Sequence, residues 1–451
     1  MKVDRDILNN LCLNITDGEH GTIQNDNNGR YFLLSNKNII NGQIIISDAD
    51  RRINKESFSK INKRTKLENG DLVISTVGVL GKLAIIKTEN LNYDFQRSVG
   101  IVKCDEKKIN TKYLYYYLNT QFVQNRLNHL SKGAVQKCLF ISDLKNLEID
   151  FPDLPTQQKI ASVLSALDDK IELNNRINAE LEAMAKTLYD YWFVQFDFPV
   201  ASTGSATEIS RENVASTPLS QQSDEKNTAA ERSQETVAER SRGYKSSSGK
   251  MVYNEILKRE IPEGWEVKKL EEIVKKISNS INPNDFQDLK YLPIDKLPKK
   301  SFSYSDFEDR ENANSSLIKF DKDDILLGAM RVYFHRVCLA YEDGISRNTI
   351  FVLRPKHKFL RLFSLFLINK EETIQFANDN STGSSIPYAK WENGLADYQF
   401  CLPSENLIVK FEKQISPIMD KIINNSKKNQ ELSALRDWLL PMLMNGQVKV
   451  G

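Results

Sequence analysis

Two tripeptides, Gln96-Arg97-Ser98 and Ser346-Arg347-Asn348, each set a guanidinium beside amide or hydroxyl groups. Arg, Asn and Gln pair bidentately with base edges, and Arg and Lys neutralise phosphates, so the pattern suits a nucleic acid. A structural arginine that holds strand ends is the competing reading. A second pair of segments has the same character: Ser131-Lys132-Gly133-Ala134-Val135-Gln136-Lys137 and Ser381-Thr382-Gly383-Ser384-Ser385-Ile386-Pro387-Tyr388. Gly133 lets the backbone approach a phosphate, while Lys132, Gln136 and Lys137 offer donors, as do Ser384, Ser385 and Tyr388 in the later segment. Arg331 is a further candidate. Upstream, Arg51, Arg52, Lys55, Lys60, Lys63, Arg64 and Lys66 form a basic run, from which Arg51, Arg52, Lys63 and Arg64 are the expected contacts; a solvated face explains it equally well. His20, inside Asp17-Gly18-Glu19-His20-Gly21-Thr22, reads as a capping or groove contact rather than a metal ligand.

Catalysis leaves signatures that this sequence lacks. There is no Asn-Pro-Pro-Tyr/Phe motif of adenine methyltransferases, and Asn282-Pro283-Asn284 reads as a turn. Gly78-Val79-Leu80-Gly81-Lys82-Leu83 has neither the spacing nor the Ser/Thr of a nucleotide-binding loop. Asp94 with Glu106-Lys107-Lys108 has nuclease-like spacing, but acidic-x-basic triplets recur by chance in a chain that is 27% charged. The five cysteines are dispersed, with no C-x-x-C pair and only four histidines, so neither a zinc site nor a disulfide framework is indicated. No catalytic or metal-ligating residue is therefore assigned. The chain is expected to read its ligand, not to cut or methylate it.

Charge and length confine where such reading takes place. Lys+Arg 62 against Asp+Glu 60 gives +2, so bulk charge attracts no polyanion and any such surface is local. Residues 1–153 carry 22 basic and 18 acidic side chains, a balance of +4, whereas residues 251–405 carry 22 and 24, a balance of −2. The opening Met1-Lys2-Val3-Asp4-Arg5-Asp6 has no apolar signal region, and no run of about 18 apolar residues occurs. A cytosolic, reduced protein without a membrane span is the expectation.

The elements that must position these residues occur twice. Leu164-Ser165-Ala166-Leu167-Asp168-Asp169-Lys170-Ile171 returns as Ile415-Ser416-Pro417-Ile418-Met419-Asp420-Lys421-Ile422, an offset of 251 residues. Gly70-Asp71-Leu72-Val73-Ile74 matches Asp323-Asp324-Ile325-Leu326-Leu327, and Phe151-Pro152 matches Leu402-Pro403, with small drifts that loop insertions produce. Each copy has short strand-like runs, such as Asp71–Ser75 and Lys82–Ile86, followed by a helical stretch, 112–130 or 359–376. The fold class is α+β: a first domain at 1–153, a central helix at 154–198, a second domain at 251–405 and a distal helix at 406–451. Between the halves, Pro199 to Gly243 lacks any aromatic residue and is rich in Ser, Thr, Glu, Arg and Ala, so 199–250 reads as a disordered linker or insertion.

After Pro155, apolar residues alternate at spacings of four and three: Ile160, Leu164, Leu167, Ile171, Asn174, Asn178, Leu181, Ala185, Leu188, Trp192. The second copy gives Phe411, Ile415, Ile418, Ile422, Asn425, Asn429, Leu432, Arg436, Leu439 and Leu443. These heptad seams share Asn at two central positions and predict an antiparallel coiled coil in which facing residue numbers sum to 603. Asn174 then meets Asn429, Asn178 meets Asn425, Ile171 meets Leu432, Leu181 meets Ile422 and Trp192 meets Phe411. Leu167 faces Arg436, whose stem would snorkel out. Packing of each helix on its own domain alone is the alternative.

Two divergent domains on a rod of about 55 Å form a caliper, and half-sites ~34–36 Å apart on duplex DNA fit such a span. Four segments then carry a family resemblance. Leu154-Pro155-Thr156-Gln157-Gln158-Lys159-Ile160, Tyr191-Trp192-Phe193-Val194-Gln195-Phe196-Asp197, Ile261-Pro262-Glu263-Gly264-Trp265 and Leu439-Leu440-Pro441-Met442-Leu443-Met444-Asn445-Gly446 together resemble the specificity subunit of Type I restriction-modification enzymes. The resemblance implies two target recognition domains that each read part of a split duplex site in the major groove. It implies helices that set the spacer and dock two DNA adenine methyltransferase subunits, joined by restriction subunits with nuclease and translocase activity. S-adenosylmethionine, ATP and Mg2+ would belong to those partners, with no cofactor in this chain. The long segment at 199–243 and the acidic second domain depart from the family pattern. A coiled-coil scaffold that holds proteins, without DNA recognition, is the alternative function.

Overall fold

A computed structural model of the chain describes residues 3–133, 137–198, 250–281, 288–304, 306–308 and 317–448. The predicted linker, the Asn282-Pro283-Asn284 turn and Gln136 lie outside them. The chain divides into two compact units, Met1–Glu172 with Glu431–Gly451, and Leu173–Gln430.

The main sheet of the first unit contains β1 (Cys12–Asp17), β2 (Leu72–Ser75), β3 (Leu83–Ile85) and β4 (Val99–Cys104) in the order β1-β4-β2-β3, antiparallel throughout. Leu72, Ile74 and Val102 face one apolar core, and Val73, Val99 and Ile101 face another. The two-residue period of a strand explains why both strands read as continuous apolar runs. Helix α1 (Lys55–Thr65) begins at Asn54, whose side chain accepts from Ser57 N at 2.9 Å. The predicted helix over 112–130 is two helices, α2 (Thr111–Leu118) and α3 (Gln121–Leu130). The break falls at Thr120, an extended residue whose hydroxyl accepts from Val123 N at 3.4 Å and so starts a new helix.

The long helix α4 (Leu154–Tyr189) explains the Leu-Pro-Thr-Gln-Gln segment. Asp153 caps it by accepting from Thr156 N at 3.1 Å, and Pro155 sits in the first turn, where a missing N–H costs nothing. Gln157, buried, accepts from Asn110 N at 2.8 Å and donates to Pro152 O at 2.9 Å, which ties the start of α4 to the start of α2.

The second unit repeats the sheet as β5 (Val274–Ile277), β6 (Ile325–Gly328), β7 (Val337–Leu339) and β8 (Ile350–Pro355), in the order β5-β8-β6-β7. The strand order is therefore the same. The predicted helix over 359–376 also splits, into α5 (Arg361–Ile368) and α6 (Glu371–Asp379). Beyond α4 the chain makes a π-helical turn at Asp190–Val194 that buries Trp192 and Phe193 against Phe411 of the distal helix α7 (Glu405–Met444). Phe196 and Phe198 then pack on Trp265, centroids 5.2 and 5.4 Å apart, which accounts for the aromatic residues in two of the family-like segments.

Both units contain a stretch of α4 against a stretch of α7, running antiparallel. In the second unit Asn174 Nδ2 donates to Asn429 Oδ1 at 2.8 Å, Asn425 Nδ2 donates to Asn178 Oδ1 at 2.8 Å, and Trp192 and Phe411 have centroids 5.8 Å apart. Ile415 and Ile422 are buried in its core, with Leu181 and Leu188 packed against it. In the first unit Ile160, Leu164 and Leu443 are buried in one core, with Leu439 beside it, and Ile171 and Leu432 are half-buried. Arg436 is anchored rather than free: it ion-pairs with Asp168 at 2.7 Å, a neighbour of the Leu167 it was expected to face.

Candidate nucleic-acid interface

One loop is built twice. In the first unit Lys132 and Cys138 exchange backbone hydrogen bonds, both 2.9 Å, and the chain between them turns at Gly133 with φ 110°. In the second unit Thr382 and Tyr388 do the same at 2.9 and 2.8 Å, turning at Gly383 with φ 94°. A left-handed φ at these positions explains the two glycines. Lys132, Gly133, Lys137, Ser384 and Ser385 are exposed.

Each loop is held at the same end of its sheet by equivalent bonds. Leu139 N donates to Thr76 O at 2.8 Å and Gly78 N to Lys137 O at 2.9 Å. The counterparts are Ala389 N to Ala329 O at 2.9 Å and Arg331 N to Pro387 O at 2.7 Å. The tripeptides of the sequence arrive at the same places. Thr76 N donates to Ser98 O at 2.9 Å, which puts exposed Arg97 beside the first loop; Ala329 N donates to Thr349 O at 2.8 Å, and Tyr388 OH donates to Asn348 O beside the second.

Gly78 and Arg331 are thus equivalent, and both have left-handed backbones, φ 76° and 52°. Glycine adopts this conformation freely, whereas an arginine there costs roughly 1–2 kcal/mol. Arg331 Nε is buried and has no hydrogen-bond partner among the described residues. A strained backbone together with a buried Nε that has no partner makes Arg331 a candidate for ligand contact. Burial raises the Tyr388 hydroxyl above its ordinary value, so it stays a donor.

The basic run behaves differently by residue type. Arg51 donates to Asn25 and to Ile23 O, and Arg52 donates to Asp48 at 3.0 Å with its guanidinium over the Phe32 ring at 5.0 Å. Arg64 donates to Gly18 O and lies 3.8 Å from Asp17 and 4.0 Å from Glu19. These three arginines brace loops of their own unit. Lys63 is exposed beside Phe58 and Lys66 in a shallow depression on α1. Arg347 lies over the Tyr291 ring at 5.9 Å, the geometry of a structural arginine. His20 Nε2 is 2.7 Å from Asp17 Oδ2, a contact within its own turn. Asp94 is buried, accepts from Thr65 Oγ1 at 2.6 Å, and is pushed up by burial, while Glu106 accepts from Thr111 N and Oγ1 at the start of α2. They brace separate elements.

Exposed apolar residues at the same sheet ends were not singled out in the sequence: Val79 in the β2–β3 turn, Tyr333 in the β6–β7 turn and Ile386 at the loop tip. Nothing in their local pattern marks them, because single exposed apolar residues are ordinary. Only the position of the duplicated loops makes them candidates.

Comparison with known proteins fits this duplicated architecture. The family model described as Type I restriction modification DNA specificity domain matches residues 18–183. The Type I restriction enzyme MjaIX specificity subunit of Methanocaldococcus jannaschii is 26% identical over 90% of this chain and 84% of its own. The HindI specificity subunit of Haemophilus influenzae is 24% identical over 85% and 87%. The crystal structure of a Type I restriction-modification system S subunit from M. genitalium superimposes with a TM-score of 0.52, at 16% identity, over 98% of this chain and 96% of that one, and shares the fold. With two similar sheets and two antiparallel helices, the chain resembles the specificity subunits of Type I restriction-modification enzymes over most of its length.

Proposed function

We propose that this chain is the DNA sequence-specificity subunit of a Type I restriction-modification complex, reading a bipartite duplex site with one part for each unit. The observation that carries this reading is the loop built twice, at 132–138 and 382–388, at the same end of two sheets of one strand order. Two loops closed by equivalent backbone bonds but different in sequence suit two different half-sites.

Lys132, Gly133 and Lys137 contact the first half-site, with Arg97 beside them and Lys63 supplying a phosphate contact. Arg331, Asn348, Ser384, Ser385 and Tyr388 contact the second. Arg51, Arg52, Arg64 and Arg347 act through contacts within their own units. The long helices dock two adenine methyltransferase subunits, and restriction subunits join that assembly. The chain itself is non-catalytic, and S-adenosylmethionine, ATP and Mg2+ serve the partner subunits; the missing methyltransferase and nucleotide-binding motifs support this division. Among the described residues no helix is long and apolar enough to cross a membrane. We assign the complex to the cytoplasm.

The test is co-expression with the methyltransferase subunits, followed by mapping of methylated adenines in host DNA. A two-part motif is expected, and exchanging residues 382–388 should change one part only. In binding titrations, replacing Lys132 and Lys137 by Ala should weaken all sequences alike and reduce the salt slope by roughly 1 for each phosphate that is no longer neutralised. Unchanged motif and unchanged salt slope would remove these loops from the interface.

A further inference from the structure

The cysteines are dispersed in sequence, yet β1 and β4 bring two of them face to face. Cys12 and Cys104 are register partners across this antiparallel pair. Asp105 N donates to Leu11 O at 3.0 Å immediately beside them, which makes the cysteine pair a non-hydrogen-bonded position. Opposed residues come closest there, with Cα atoms about 4.5 Å apart, and disulfides span about 4.4–6.8 Å.

The side chains also share a face. Ile15 points into the first unit's core, so a regular strand would turn residue 13 inward. The register shift at this point instead leaves Leu13 exposed at 74% and puts Cys12 on the core side, where Cys104 also packs. Both cysteines are half-buried and free. Their hydrogen bond, then burial, holds the Cys12 thiol well above its ordinary value.

We propose that Cys12 and Cys104 are an oxidisable pair which a low-molecular-weight disulfide of the glutathione class converts into a cross-strand disulfide, stapling the edge strand β1 to β4. One cysteine, as its thiolate, attacks one sulfur of the oxidised glutathione, forming a mixed disulfide and releasing one glutathione thiolate. The other cysteine, deprotonated, then attacks the protein sulfur of that mixed disulfide and releases the second. Two thiols of the protein are oxidised, one glutathione disulfide is reduced, and the two protons end on the released glutathiones. The bond fixes the strand that leads into Asp17, the residue in contact with His20 and Arg64. This inference is independent of what the unit binds.

The experiment treats the full chain with oxidised glutathione and maps peptides without reduction. A Cys12–Cys104 link carrying no glutathione is expected, together with a rise of roughly 5–10 °C in the melting of the first unit that dithiothreitol reverses. Cys12→Ser should stop with glutathione on Cys104, and Cys104→Ser with glutathione on Cys12. Persistent glutathione on the unmutated chain, links to Cys138 or Cys401 in place of the pair, or no oxidation under excess oxidised glutathione would each overturn the proposal.

Discussion

Asn174 donates to Asn429 at 2.8 Å, and Asn429 in turn donates to Asn175 at 2.8 Å, so the two long helices meet through a short ladder of side-chain amides. Asn178 extends it, donating to Ile422 O at 3.2 Å and to Ser426 Oγ at 3.3 Å while accepting from Asn425. A ladder of this kind matches amide to amide only in one register, whereas the leucines and isoleucines around it tolerate a slip of seven residues.

Single and paired substitutions separate stability from register. Asn174→Leu leaves the buried Asn429 Oδ1 without its donor and should destabilise the second unit by about 1–3 kcal/mol in denaturant titration. Replacing Asn174, Asn178, Asn425 and Asn429 together by Leu should recover much of that loss but give heterogeneous cross-linking between cysteines introduced along the two helices. A single cross-linking register in the fourfold variant would show that the amides do not set it.

Arg331→Gly removes a guanidinium and relieves a strained backbone at once. The variant should be at least as stable as the parent, with a gain of up to about 1 kcal/mol, because glycine adopts the left-handed conformation without strain. Preference for the second half-site should nevertheless fall, by roughly tenfold or more at one base pair, the size of one bidentate base pairing. Destabilisation with intact sequence preference would assign Arg331 to the fold instead.

Leu443, near the end of the chain, is buried in the core of the first unit with Ile160 and Leu164. Leu443→Ala should cost about 2–5 kcal/mol, the range for an aliphatic truncation in a packed core. Hydrogen exchange should accelerate in the sheet of residues 12–104 and not in that of residues 274–355. The opposite distribution would contradict this packing.

Glu182 couples α4 to the second unit by accepting from Ser301 Oγ at 2.7 Å and Phe302 N at 2.9 Å. Burial raises its pKa above the ordinary 4.5, so the folded state holds the proton more tightly than the unfolded chain. The stability this group contributes is complete below the ordinary value and is lost as pH rises through the raised one. The melting temperature of the parent should therefore fall relative to Glu182→Gln as pH rises above the ordinary 4.5 and through the raised value. A difference that stays constant with pH would show that Glu182 does not titrate across this range.

The sequence alone determined what repeats in a one-dimensional pattern. The heptad seam, with Asn at matching positions, specified the antiparallel pairing of Asn174 with Asn429, Asn178 with Asn425 and Trp192 with Phe411, because side chains three and four apart necessarily share a helix face. The duplicated strand runs carried the α+β class for the same reason. Tertiary structure decided everything that depends on residues distant in the chain. Arg51, Arg52 and Arg64 looked like Lys63 in the sequence, but neighbouring carbonyls and carboxylates bind their forked donors, and no local pattern records such partners. Arg331 became equivalent to Gly78 only when two sheets with the same strand order placed both at the base of a loop. Cys12 and Cys104 met because a one-residue bulge turned Cys12 toward the core, a choice that strand register makes and spacing cannot reveal.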